Sequence, residues 1–128
     1  MELTGIDHLV LTVSDIEATC AFYSEHLGAE VVTFGEDRTA LRFGDQKVNL
    51  HPAGDEFDPK AARPTPGAGD FCLTTDTPIG TVERELREAG IELVAGPVER
   101  TGAVGPITSV YVRDPDGNLV EIAEYGEG

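Results

Sequence analysis

Two histidines and two carboxylates stand at related places in the two halves of this 128-residue chain, and together they could bind a metal ion. Residues 6–32 repeat at an offset of 62, which aligns His8 with Asp70. Near the end of each half stand His51, in KVNLH, and Glu121, in NLVEI. Because equivalent half-units tend to pack about a pseudo-two-fold axis, we expect the four side chains to converge.

Two imidazoles and two carboxylates suit a divalent transition metal, because neutral nitrogens give affinity and carboxylates compensate charge. The alternation of apolar and polar residues along the predicted strands indicates that the four side chains lie on the sheet face away from the helices. Leu9 and Leu11 define an apolar face that leaves His8 on the other side. The same alternation turns Asp70 and Glu121, like His51, away from the predicted helices. The alternative is that each residue is an ordinary polar group in contact with solvent.

The elements that position these residues follow the same order in both halves. In the first half, IDHLVLTV predicts a strand over 6–13. Ser14 and Glu17 fit a capping box at the start of the following helix, and Gly28 ends that helix. The apolar face of the helix contains Ile16, Cys20, Tyr23 and Leu27, which are spaced at helical intervals. Three strands follow, near 30–35, 38–43 and 46–51.

In the second half a strand is predicted at 69–75. Thr77 is the predicted N-cap of a helix, with Pro78 at its first position and Gly90 at its end. Val82, Leu86 and Ala89 form its apolar face. Strands near 91–95, 106–113 and 118–124 complete the half, and the turn between the last two contains Asp114, Pro115, Asp116 and Gly117.

The chain therefore reads as one α+β domain over residues 1–128, built from two tandem β-α-β-β-β modules. Module one covers about 5–51 and module two about 69–125. A Pro-, Gly- and Ala-rich connection over 52–68 is either a linker or a binding loop. We expect a curved mixed sheet around a cleft, with the helices on the outer face.

Charge excludes two classes of partner. The chain has 24 acidic and 9 basic residues, a net charge of −15 that repels nucleic acid and anionic membrane surfaces.

No apolar segment is long enough to span a bilayer, and the N-terminus does not resemble a signal peptide. Cys20 and Cys72 form no disulfide framework. These features favour a cytoplasmic protein with reduced thiols.

The doubled module, with metal candidates on the first and last strand of each half, resembles the vicinal oxygen chelate superfamily of glyoxalase I, bleomycin- and fosfomycin-resistance proteins and extradiol dioxygenases. The resemblance covers nearly the whole chain. It is carried by IDHLVLTVSDI, FGDQKVNLH, ARPTPGAGDFCL and GPVERTGAVGPITSVYVRDPDGNLVEI. These segments look most similar to glyoxalase domain-containing protein 5 and bacterial lactoylglutathione-lyase-like proteins.

The resemblance implies metal ligands at His8, His51, Asp70 and Glu121. Asp70 departs from the family pattern, in which a His usually stands at that position, so Asp70 would bind through water or act as a base. Nickel, cobalt, zinc, manganese and iron are all compatible with the ligand set. The metal would stabilise an enediolate formed from a substrate with vicinal oxygens, and Glu121 would be the catalytic base, with Asp70 as the alternate.

Candidate substrate-binding residues surround the predicted centre: Lys47, Asn49, Arg100, Thr101 and Tyr111. Arg100 and Thr101 belong to a Gly-rich stretch that is predicted to cover the cleft as a loop. Three functions are compatible with the sequence: a glyoxalase-type lyase or isomerase, an iron-dependent ring-cleaving dioxygenase, and a metal-free protein that sequesters drugs. The resemblance also implies a homodimer that acts on a small molecule.

Overall fold

The computed structural model describes residues 1–126. The chain folds into two compact units, residues 1–68 and the segment from Gly69 onward. Each unit has the order β-α-β-β-β, and the two units together contain two helices and two four-stranded mixed sheets. The predicted α+β class with tandem β-α-β-β-β modules is confirmed.

The elements of the first unit are β1 (His8–Val13), α1 (Ile16–Leu27), β2 (Glu30–Phe34), β3 (Arg38–Phe43) and β4 (Gln46–Pro52). Its four strands form a sheet with the order β1-β4-β3-β2. β1 pairs in parallel with β4, and the other two pairs are antiparallel.

The core of the first unit lies between the sheet and α1. Tyr23 of α1 is fully buried, and Leu11, Leu41 and Leu50 on the strands are buried with it. α1 packs against β2, β3 and β4. Burial of this apolar face stabilises the helix against the sheet, and it leaves the opposite sheet face free for polar residues.

The start of α1 differs from the predicted capping box of Ser14 and Glu17. Asp15 is the N-cap, and its carboxylate accepts a 3.0 Å hydrogen bond from the amide of Ala18. The Asp15 carboxylate thus satisfies a free amide of the first turn, one residue beyond the Glu17 amide that the predicted box would bind. Gly28 ends the helix with a φ of 72°, as predicted.

The elements of the second unit are β5 (Asp70–Thr74), α2 (Ile79–Glu88), β6 (Ala95–Thr101), β7 (Pro106–Arg113) and β8 (Leu119–Tyr125). This unit repeats the topology of the first with the strand order β5-β8-β7-β6, in which β5 and β8 are parallel. Val110, Val112 and Val120 are fully buried, and Val82 and Leu86 of the helix are buried as well.

α2 begins in a way that the sequence did not predict. Pro78, and not Thr77, is the N-cap, and no side chain of the preceding segment caps the helix. The carboxylate of Glu124 on β8 accepts a 2.9 Å hydrogen bond from the amide of Ile79 instead. A distant strand thus supplies the acceptor that a helix N-terminus requires. The helix ends at Glu88, two residues before Gly90.

The predicted strand near 91–95 is wrong. β6 runs over Ala95–Thr101, and its pairing with β7 contains a register shift between Ala95 and Val98. Gly96 and Pro97 lie at this irregularity, and they interrupt the alternation of apolar and polar residues by which a strand is identified from sequence. Arg100 and Thr101 are therefore strand residues, and only the residues after them form a loop.

Residues 53–69 contain no helix or strand. Part of this connection is nevertheless held by its own contacts. The Glu56 carboxylate accepts a 2.6 Å hydrogen bond from the amide of Gly54 and a 3.3 Å bond from Lys60 Nζ. No helix in residues 1–126 has both the length and the apolar character needed to cross a membrane.

Candidate functional site

One face of the second sheet brings several predicted site residues together. Glu121 on β8 lies opposite Cys72 on β5 and opposite Tyr111 on β7. Paired residues in neighbouring strands point to the same side of a sheet, so these three side chains share a face. Asp70 shares it too, two positions before Cys72, which is about 7 Å along the strands.

A cavity of about 380 Å³ opens on this face of the second unit. Its walls come from β5, β6, β7, β8 and the loop that begins at Gly102. The side chains that line it include Glu121, Arg100, Tyr111 and Thr101. A volume of this order suits a small organic molecule.

Glu121 is held by a buried hydroxyl. Ser109 is fully buried, and its Oγ donates a 2.6 Å hydrogen bond to Oε2 of Glu121. Within residues 1–126 the second carboxylate oxygen has no hydrogen-bond partner, and the side chain is only half-buried. One oxygen is therefore fixed, while the other can receive a proton or bind a cation.

Arg100 and Tyr111 form a second polar pair in this cavity. The Arg100 Nε–H donates a 3.1 Å hydrogen bond to the Tyr111 hydroxyl, and its guanidinium lies 5.6 Å from the centre of the Tyr111 ring. The Arg100 Nη1 donates to the carbonyl of Glu99. These contacts orient a cation at the edge of the cavity, where it can bind an oxygen-rich substrate.

Cys72 contributes no thiolate to this face. Partial burial of the sulfur, together with the adjacent Glu121 charge, raises the pKa of the Cys72 thiol to about 11. Without a bound metal the thiol is therefore protonated at neutral pH, which makes it a poor nucleophile. The carboxylates of Asp70 and Glu121 are the hard oxygen donors that this face offers to a divalent ion.

In the first unit the parallel register decides which residues are neighbours. His8 lies opposite Lys47, and His51 lies opposite Thr12. His8 and His51 share a face, but they stand four positions apart, about 13 Å along the strands. The first unit therefore does not bring its two histidines together.

The register also changes which residues of the two halves are equivalent. In the second unit Leu119 lies opposite Asp70, and Glu121 stands two positions after Leu119. In the first unit the same relation to His8 selects Asn49, whereas His51 corresponds to Ala123. Alternation alone puts Asn49 and His51 on the same face of β4, so the register is what identifies Asn49 as the equivalent of Glu121.

Asn49 is buried, with 5% of its surface exposed, and its Oδ1 has no hydrogen-bond partner among residues 1–126. An amide oxygen at this position is a hard oxygen donor. His51 is just as buried, but Nη2 of Arg38 lies 3.5 Å from its Nε2. Burial and the Arg38 charge both lower the pKa of His51. A guanidinium beside the ring nitrogen disfavours a metal cation there.

No group of three or more His, Cys, Asp or Glu side chains in residues 1–126 is arranged to hold a metal ion. His8 Nδ1 contacts the carboxylate of its neighbour Asp7 at 2.8 Å, and its side chain is 44% exposed. A common centre for His8, His51, Asp70 and Glu121 stays a prediction. Glu121 with Arg100, Thr101 and Tyr111 lines one cavity, while Lys47 and Asn49 belong to the first unit.

Tyr125 also lines the cavity, and sequence reasoning did not select it. Its hydroxyl accepts a 3.2 Å hydrogen bond from the amide of Val104, which fixes the loop after β6. Strand alternation could have identified Tyr125 in the sequence, because Glu121, Ala123 and Tyr125 share one face of β8.

The chain resembles known proteins over almost its full length. Residues 5–122 match the family model of the glyoxalase/bleomycin resistance protein/dioxygenase superfamily. The virulence protein STM3117 of Salmonella typhimurium is 60% identical over 98% of this chain and 87% of its own length. The glyoxalase domain-containing protein RDO1 of Mycosarcoma maydis is 51% identical over 98% of this chain and 70% of its own.

Solved structures of related proteins share the fold of this chain. The crystal structure of STM3117 has a TM-score of 0.96 to this chain and is covered completely, with 98% of this chain aligned. The lactoylglutathione lyase of Agrobacterium tumefaciens has a TM-score of 0.73 at 25% identity, over 96% of this chain and 95% of its own. The chain therefore belongs to the glyoxalase/bleomycin resistance protein/dioxygenase superfamily.

Proposed function

We propose that this chain is a metal-dependent lyase or isomerase of glyoxalase type, with Glu121 as its base. The observation that carries the proposal is the half-buried Glu121 carboxylate, which lines a cavity of about 380 Å³ and is held there by Ser109. The similarity to a lactoylglutathione lyase supports the reaction class. The substrate is a small molecule with vicinal oxygens.

In this proposal Glu121 removes a proton from the carbon beside the substrate carbonyl. Its Oε2 stays bonded to Ser109, so the other oxygen accepts the proton without reorienting the side chain. Arg100 binds a substrate oxygen from the edge of the cavity, and Tyr111 holds the guanidinium in place. A divalent metal, when bound, supplies Lewis-acid polarisation of the vicinal oxygens.

The reaction class is tested by a screen with matched variants. Protein purified without chelators, or reconstituted with nickel, cobalt, zinc, manganese or iron, is offered hemithioacetals and catechols with and without oxygen. We expect turnover of a hemithioacetal without oxygen uptake. Glu121→Gln should lower kcat by about 10²- to 10⁴-fold. Glu85→Gln, an exposed carboxylate on α2, should leave it unchanged.

Other outcomes would replace the proposal. Oxygen uptake with a catechol would assign a ring-cleaving dioxygenase, and ligand binding by metal-free protein without turnover would assign a sequestering protein.

Metal content is measured separately on His8→Ala, His51→Ala, Asp70→Ala and Glu121→Ala. Loss of the metal in all four variants would support the predicted common centre, and its retention in the Glu121 variant would leave that carboxylate to proton transfer alone. Sedimentation tests the predicted homodimer.

A further inference from the structure

A cluster of cationic and aromatic side chains lies on the polar face of the first sheet. Arg38 at the start of β3 has its guanidinium carbon 4.3 Å from the centre of the Phe57 ring and 5.0 Å from that of Phe34. Lys47 Nζ lies 3.6 Å from the centre of Phe34, and His51 packs edge-on against Phe57. We call these five residues the Arg38 cluster.

The charges of the cluster are not balanced by carboxylates. Across residues 1–126, neither Arg38 nor Lys47 makes an ion pair, although acidic residues outnumber basic ones by 24 to 9. Glu56 is the acidic group that affects His51, and it already accepts from Gly54 and Lys60. Two cations therefore flank one Phe34 ring with no anion between them, an arrangement that mutual repulsion destabilises.

The guanidinium also has unused hydrogen-bonding capacity. Nε of Arg38 is buried and has no partner in the described part of the chain. Its Nη2 approaches His51 at 3.5 Å, which is at the limit of a hydrogen bond. A buried donor without an acceptor costs about 1–3 kcal/mol, so this edge of Arg38 favours an acceptor from outside the chain.

We propose that the Arg38 cluster binds a small oxyanion, either a carboxylate or a phosphate group. The Nε–H and Nη2–H groups along one edge of Arg38 donate to two oxygens of the ligand, and Lys47 adds a second positive charge. The rings of Phe34 and Phe57 hold the guanidinium plane and exclude water around it. This inference rests on the first unit alone and does not depend on a metal or on Glu121.

The test is direct binding to the full chain, with inorganic phosphate and acetate as separate probes at constant ionic strength. The backbone amide signals of Thr39 and His51 in ¹⁵N-labelled protein report binding. We expect saturable shifts with a Kd of about 1 mM for at least one probe. Saturation by phosphate alone assigns a phosphate group, and saturation by acetate assigns a carboxylate.

Variants separate binding from structure. Arg38→Lys keeps the charge but removes the fork, and we expect it to raise Kd about tenfold while the protein stays folded. Lys47→Gln should raise Kd about fivefold. Arg84→Gln is the matched control, because Arg84 is an exposed cation on α2 of the second unit that pairs with Glu88, and it should bind as the parent does. Absence of saturable shifts with both probes, or equal affinity in all variants, overturns the inference.

Discussion

The Ser109 hydroxyl and the Glu121 carboxylate are joined by a 2.6 Å hydrogen bond between β7 and β8. Ser109 is fully buried, so this bond is shielded from water on the serine side. In register Ser109 lies opposite Ala123, and its side chain reaches along the sheet to Glu121. The position of the candidate base is thus set by a neighbouring strand.

Ser109→Ala removes this bond while keeping the backbone of β7. We expect a loss of about 1–2 kcal/mol in the free energy of unfolding, measured by urea denaturation. Turnover in the hemithioacetal assay should fall with it, because Glu121 is then free to rotate. Ser24→Ala, which alters a hydroxyl on α1, serves as the control. Unchanged stability and turnover in Ser109→Ala would contradict this role.

Gly96→Ala should disrupt the pairing of β6 with β7. Gly96 has a φ of +98°, and an added Cβ would collide with the Ser109 carbonyl oxygen and lie 2.9 Å from Val110 Cα. Backbone cannot yield as a flexible side chain does, so we expect a loss of about 2–4 kcal/mol. The matched control is Gly80→Ala on α2, where the Cβ meets open space. Circular dichroism during thermal unfolding measures both variants, and similar Tm values would refute the collision.

Asn118 ties the turn before β8 to the start of β5. Its side-chain amide donates a 2.8 Å bond to Asp114, and its Oδ1 accepts a 2.7 Å bond from the amide of Gly69. Because Asn118 is 1% exposed, Asn118→Ala leaves buried partners unsatisfied, and we expect a loss of about 2–3 kcal/mol.

The comparison variant is Gln46→Ala. The Gln46 side-chain amide also makes a hydrogen bond to a residue distant in sequence, because it donates to the backbone carbonyl of Ile6, but this bond lies at an exposed site. Water replaces the lost partner there, so we expect a change below about 1 kcal/mol. Urea denaturation of both variants decides the point. Equal losses would show that burial of the Asn118 amide is unimportant.

The thiol of Cys72 should react slowly with iodoacetamide at neutral pH. Its pKa of about 11 predicts that the alkylation rate rises steeply toward that pH, measured in a Cys20→Ser background with a chelator present. Glu121→Gln removes a negative charge that disfavours the thiolate, so the pKa should fall and the rate at a fixed pH should rise. A rate that levels off near the ordinary thiol pKa of about 8.5 would contradict the prediction.

Part of this site could be read from the sequence because it depends on short-range patterns. Alternation of apolar and polar residues placed His8 and Glu121 on the polar faces of their strands, and the register confirms those faces. A helix that ends at Gly28 follows from the left-handed backbone that glycine favours there. Arg100 and Tyr111 were selected as site residues, but their mutual contact was not foreseen.

The sequence by itself determined the doubled β-α-β-β-β plan, because periodicity and turn residues act locally. Only the tertiary structure decided the strand register, the capping of α2 by Glu124 and the neighbours of Arg38. A pattern with a period of two looks the same after a shift of two residues, so alternation could not choose between Asn49 and His51 as the equivalent of Glu121. That choice depends on which backbone groups pair across strands, and those groups lie far apart in the chain.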